Sequence, residues 1–179
     1  MIGRFLGAIS LNEAIAPARR LIAMAGLAAV SVLIISQVAD WRTAGIYAVI
    51  LALNLLAFYI ARSLPARTLG LFAVIICGLI LTAVFGKGQL AMWSLIGVGL
   101  FNSIMWSNIF TLAIKGLGRF TGQGSSLLIM AILGAATVPV LQGAIADKAG
   151  LQLSFLVPFC CYLYLIYYGF SGYRAKMST

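Results

Sequence analysis

The sequence predicts an all-α fold, a polytopic transmembrane helix bundle, and three observations carry that prediction. The 179 residues are 63% hydrophobic and 8% charged, where an ordinary soluble domain is about 45–50% apolar and about 25% charged. So little polar surface cannot coat a water-soluble globule. The apolar residues fall into six runs, each close to the length of about 20 residues that lets a helix cross a bilayer. These runs are longer than barrel strands of about 10 residues and do not alternate in polarity as such strands do.

Taken in order, the elements begin with residues 1–11, MIGRFLGAISL, apolar apart from Arg4. At about 1.5 Å per residue this segment spans only about half a bilayer. It runs into Asn12-Glu13 without the small-residue cleavage site of a signal peptide. It reads as the tail of a helix whose first half is missing, followed by a cytoplasmic loop to residue 20. Spans are expected at 21–38, 44–61, 68–85, 91–114, 126–146 and 153–171, with a cytoplasmic tail at 172–179, all in one transmembrane domain covering 1–179. The breaks carry loop chemistry: Asp40-Trp41-Arg42, then Arg62-Ser63-Leu64-Pro65-Ala66-Arg67, then Gly86-Lys87-Gly88, then Lys115 to Gly124 with four glycines.

Loop charge orients these spans. Arg19, Arg20, Arg62, Arg67, Lys115, Arg119, Arg174 and Lys176 fall on one side; Arg42, Lys87 and Lys148 fall on the other. Eight against three is a positive-inside bias that places the first side and the C-terminus in the cytoplasm. Because the same basic residues are scattered between apolar runs rather than clustered, the net charge of +9 does not indicate nucleic acid.

Several chemistries are excluded. With no histidine, a His-based metal site or a Ser-His-Asp triad is impossible, and the acids Glu13, Asp40 and Asp147 form no obvious hydrolytic pair. Neither a catalytic residue, a metal site nor a cofactor is expected, and the chain is not read as an enzyme. Cys77, Cys160 and Cys161 lie within apolar runs and read as small buried hydrophobes. Gly122-Gln123-Gly124-Ser125-Ser126 lacks the GxxxxGK[ST] pattern of a nucleotide loop and reads as a flexible turn with a serine cap. Pro139 should loosen its helix locally. Gly97 and Gly99, and Gly134 with Ala135 and Ala136, offer close helix packing. Tyr173 with Arg174 fits an interfacial anchor.

The chemically informative stretch is FNSIMWSNIFTLAIKGLG, residues 101–118. On a helix turning about 100° per residue, Asn102, Ser103, Trp106, Ser107 and Thr111 share one half of the circumference, and Asn108 lies about 60° beyond Thr111. Two readings are open on spacing alone. These groups can bond neighbouring helices, each bond contributing roughly 0.6–2 kcal/mol. They can instead line a polar cavity. Amides both donate and accept, which suits sugar hydroxyls, and an indole face suits the C–H face of a pyranose.

Three segments carry a family resemblance: GLFNSIMWSNIFTLAIKGLG, then GQGSSLLIMAILGAATVPVLQGAIAD, then LSFLVPFCCYLYLIYYGFSGY. In this order and spacing they resemble the last three helices of the glucose/galactose permease branch of the fucose:proton symporter family, within the major facilitator superfamily. GRFLG at 3–7 resembles the cytoplasmic half of that family's eighth helix, and the strong match covers about residues 91–173. The resemblance implies the C-terminal half of a major facilitator fold, part of a twelve-helix secondary transporter importing a hexose by alternating access. It implies a hexose sugar and a coupling cation, proton or sodium, as partners, within the lipid bilayer of the bacterial inner membrane. It also turns the Asn102, Ser103, Trp106, Ser107 and Thr111 face toward the central cavity as the substrate-binding residues.

The sequence departs from that pattern twice. It starts within the eighth helix, so the N-terminal half of the transporter, with the membrane acids that couple protons in the family, is expected as a missing partner. It also has six spans where the family has four after the eighth helix. Residues 21–38 and 44–61 then read as an inserted pair, with Asn54 bonding another helix. The expected function is a C-terminal fragment of a hexose symporter, inactive without its other half. The alternative is a non-transporting membrane interaction protein or a truncated-gene remnant.

Overall fold

The computed structural model describes residues 17–38, 40–61 and 64–172. The expected half-helix at 1–11, Glu13, Arg62 and the Tyr173-Arg174 anchor lie outside the described residues. The described residues form helices throughout and contain no strand. In chain order these are α1 (Pro17–Val38), α2 (Trp41–Ala61), α3 (Pro65–Phe85), α4 (Gln89–Asn102), α5 (Met105–Ile114), α6 (Thr121–Met130), α7 (Gly134–Ala149), α8 (Leu151–Ser154) and α9 (Leu156–Tyr167). The chain is an all-α bundle, and among the described residues five helical stretches are long and apolar enough to cross a membrane. They are α2, α3, the joined α4–α5, the stretch from Gly118 to Ala149, and the stretch from Leu151 to Gly172. Within α1 the apolar stretch among the described residues is Ile22–Gln37.

α3 is the axis of the bundle. Pro65 starts it, at a position where the missing N–H has no intrahelical acceptor to lose. Leu69, Phe72, Ala73, Ile76 and Ile80 recur every three or four residues and are all but inaccessible. α2, α4, α5 and α9 pack around this helix. An edge-to-face aromatic chain ties three of them together: Phe58 of α2 meets Phe72 at 5.0 Å, and Phe72 meets Phe101 of α4 at 5.2 Å. Such pairs contribute about 0.5–1.5 kcal/mol each beyond burial.

The last span closes against α3 through two glycines. After α9 the chain winds into a π-helix, Tyr168–Gly172. A Cβ on Gly169 would stand 2.6 Å from the Gly70 backbone nitrogen, so the two backbones touch there. At the opposite end, Thr82 donates to Ser94 at 3.1 Å, linking α3 to α4. Gln152 Nε2 donates to the Gly86 carbonyl at 3.0 Å, linking α8 to the end of α3.

The structure corrects several expectations. The span expected at 91–114 is broken at Ser103-Ile104, and the one expected at 153–171 is broken at Phe155. At the first break the Ser103 N–H turns to Leu100 O at 3.4 Å, and the Ser103 hydroxyl donates to the same carbonyl at 2.6 Å. That i−3 pattern competes with the regular ladder. The Gly122–Ser126 stretch is helical rather than a turn, and Ser126 Oγ bonds Gly122 O at 3.1 Å instead of capping. Helix here keeps the backbone groups of a long apolar stretch satisfied. α7 runs through Pro139, and the irregular 3-10 turn lies earlier, at Ala131–Leu133. Cys77 is buried as expected, but Cys160 and Cys161 are exposed on the outer face of α9. Gly97 is a close-packing glycine, whereas a Cβ added to Gly99 or Gly134 would find no neighbour within 4 Å. Asn54 is buried, yet neither of its amide atoms has a hydrogen-bond partner among the described residues, so it does not bond another helix there.

Candidate functional site

The break between α4 and α5 opens a recess of about 580 Å³ lined by Gly99, Asn102, Ser103, Met105, Trp106, Ile109 and Leu165. Gly99, Asn102, Trp106 and Ile109 follow one another at three- or four-residue spacing, so they form one side of the wall. Leu165 reaches it from α9.

The five expected site residues divide within this geometry. Asn102, Ser103 and Trp106 line the recess together. Ser107 and Thr111 are exposed farther along α5 and do not contribute to its wall. Trp106 is 44% exposed, with its ring tilted at 6.5 Å from Phe110. Asn108 points the other way: it is 0% exposed among buried residues, and both amide atoms lack a partner among the described residues.

The hydrogen bonds bear on the two readings of this face. Ser103 Oγ donates to Leu100 O, and Thr111 Oγ1 donates to Ser107 O at 2.8 Å. Both bonds stay within the local chain. Among the described residues, none of the five side chains bonds a neighbouring helix. Among the described residues the role of interhelical glue therefore has no partner for these five side chains, and Asn102 and Trp106 line the recess without a hydrogen bond to another helix.

The backbone adds to that polarity. The first ladder bond of α5 is Asn108 N to Ile104 O at 3.3 Å. The N–H groups of its first turn, including those of Met105 and Trp106, precede any intrahelical acceptor. The lining side chains are all uncharged. Such a surface can hydrogen-bond a neutral polyol on one flank and pack an apolar face against Met105, Ile109 and Leu165. It offers no carboxylate to take up a proton. Among the described residues, no group of three His, Cys, Asp or Glu side chains comes together as a metal ion requires.

Sequence reasoning missed Gly99, Met105, Ile109 and Leu165 as lining residues. The first and third share the helical spacing of Asn102 and Trp106 and were within reach of that pattern. Leu165 comes from a distant helix, and no local spacing signals it.

Known proteins resemble this chain over about half to two thirds of its length. A glucose/galactose transporter of Brucella abortus is 50% identical over 97 residues, covering 54% of this chain and 24% of its own length. A putative glucose/galactose transporter of Helicobacter pylori is 36% identical over 120 residues, 64% of this chain and 30% of that protein. An L-fucose-proton symporter of Escherichia coli is 32% identical over 121 residues, 67% of this chain and 27% of that protein. No protein-family model matches the sequence, and no solved structure matches it. The chain spans about a quarter of the length of the curated relatives it matches, and those relatives are named as sugar transporters rather than enzymes.

Proposed function

We propose that this chain forms one wall of the sugar cavity in a cation-coupled secondary transporter. The transporter imports a glucose- or galactose-like hexose by alternating access and operates together with the N-terminal half of such a protein. The observation that carries the proposal is the open polar recess. Asn102, Ser103 and Trp106 face it together, and none of them is engaged by another helix among the described residues. Asn102 bonds sugar hydroxyls, and Trp106 stacks on the C–H face of the ring. Ser107 and Thr111 extend the same polar strip and meet the sugar as the cavity closes.

A helix broken beside the recess supports this reading, since irregular backbone at membrane depth is tolerated where it lines a cavity. Secondary transporters commonly build substrate sites from such discontinuous helices. The similarity to proteins named as sugar transporters supports a sugar as the substrate. The coupling cation, proton or sodium, is handled by groups outside this chain. The recess has no acidic side chain, and Asp40 and Asp147 sit exposed at helix ends.

The test is radiolabelled glucose and galactose uptake by cells lacking their own hexose transporters. One set carries the chain alone and another carries it with the complementary remainder of a relative. Saturable uptake is expected only in the second set. Insertion of both pieces into the membrane without uptake in either set would overturn the proposal and favour a non-transporting membrane interaction protein.

A further inference from the structure

Resting on the hexose reading above, we infer that Gly99 sets the size limit of the ligand. It leaves room for the exocyclic hydroxymethyl group that a hexopyranose carries and a pentopyranose lacks.

Glycine within a helix is destabilising relative to alanine, so its presence there has a physical reason. Three reasons are usual: a positive φ, a close backbone approach, or space for something else. α4 contains two glycines that separate these cases. A Cβ on Gly97 would meet Leu79 Cδ1 at 3.1 Å and Ile50 Cγ2 at 3.9 Å, so Gly97 serves close packing. A Cβ on Gly99 would meet nothing within 4 Å, and its φ is not in the left-handed region. Yet Gly99 lines the recess. Other helical glycines, such as Gly78 and Gly134, also face open space, but of these Gly99 is the one whose open side is the wall of this recess, which leaves room there for a ligand.

Its position says which part of the ligand it faces. Gly99 lies one turn before Asn102 on α4, and Trp106 follows on α5 across the break, so Gly99 and Trp106 stand on opposite sides of Asn102 along the chain that lines the recess. A pyranose stacked on Trp106 with its ring hydroxyls on Asn102 directs its far edge toward Gly99. Any side chain at 99 projects into that end of the recess and takes volume from the substituent there.

The experiment uses the chain co-assembled with the complementary remainder of a relative, comparing glucose with xylose, which has the same ring stereochemistry without the hydroxymethyl group. Gly99→Val should weaken glucose affinity at least about tenfold relative to xylose, on the scale of steric discrimination by one or two carbons. Gly99→Ala should give a smaller shift in the same direction, with thermal stability unchanged or raised. A second variant, Gly99→Cys in a Cys160→Ser, Cys161→Ser background, should react with a charged methanethiosulfonate reagent more slowly when glucose is present. Three results overturn the inference: glucose and xylose weakened equally with lower thermal stability, Gly99→Val without effect on glucose, or labelling that glucose does not slow. If the wild-type assembly takes up no hexose at all, the functional reading itself falls and this inference with it.

Discussion

At the scale of single residues, the two asparagines of α4 and α5 have opposite surroundings. Asn102 lines the recess, and Asn102→Ala should weaken sugar affinity roughly 2- to 12-fold, the equivalent of one lost hydrogen bond of about 0.5–1.5 kcal/mol. Isothermal titration or competition of uptake in the co-assembled protein measures this. Trp106→Phe should lose less than Trp106→Ala, since an aromatic face remains. Asn108 is buried with both amide atoms unpaired among the described residues, as is Asn54. Removing an unpaired buried amide relieves a desolvation penalty of about 1–3 kcal/mol. Asn108→Leu should therefore raise stability in detergent unfolding and leave sugar affinity unchanged, and a loss of stability would reveal a bonding partner. Angular counting along the sequence separated Asn108 from the Asn102 face, because helical phase is local geometry. That the same residue is wholly buried was not legible, because burial depends on α3 packing across it.

At the scale of elements, the contact between the π-helix and α3 rests on Gly169 and Gly70. Gly169→Ala places a methyl group against backbone that cannot yield, and it should cost about 1–3 kcal/mol as an overpacking change. Gly97→Ala presses on the flexible tip of Leu79 and meets Ile50 at ordinary contact distance, and it should cost less, which thermal unfolding of the two variants in parallel would resolve. Thr82→Val removes the bond to Ser94 and should cost about 0.6 kcal/mol, the average for interhelical bonds in membranes. The apolar runs were legible in the sequence because lipid demands unbroken hydrophobicity. The break at Ser103-Ile104 was not, because a serine that bonds the carbonyl three residues back also sits inside unbroken helices, as Ser36 does in α1. The exposure of Cys160 and Cys161 was hidden for a related reason: an apolar run facing lipid and one facing a core have the same composition.

At the scale of the whole molecule, the all-α membrane bundle was readable from composition and run length alone. The recess was only half readable, since Leu165 is brought to it by tertiary packing of α9. The eight-to-three distribution of loop charge leads us to propose six spans with a cytoplasmic C-terminus. Fusion of alkaline phosphatase and of a green fluorescent protein to residue 179 should give fluorescence without phosphatase activity; the reverse pattern would remove both the orientation and the helix count. Alternating access requires two bundles rocking about one site. The chain purified alone into liposomes should accordingly show no saturable hexose uptake.

The stretch from Gly118 to Ala149 has none of the residues in its apolar window buried against the rest of the chain. A segment with so little burial relies chiefly on its own hydrophobicity to enter lipid, whereas α3, more than half buried, can draw on its neighbours. A polar substitution such as Leu133→Asp, costing about 3 kcal/mol of insertion free energy at a helix centre, should therefore lower the fraction of chains that insert this segment more than the same change in α3 does, as glycosylation-site mapping would read.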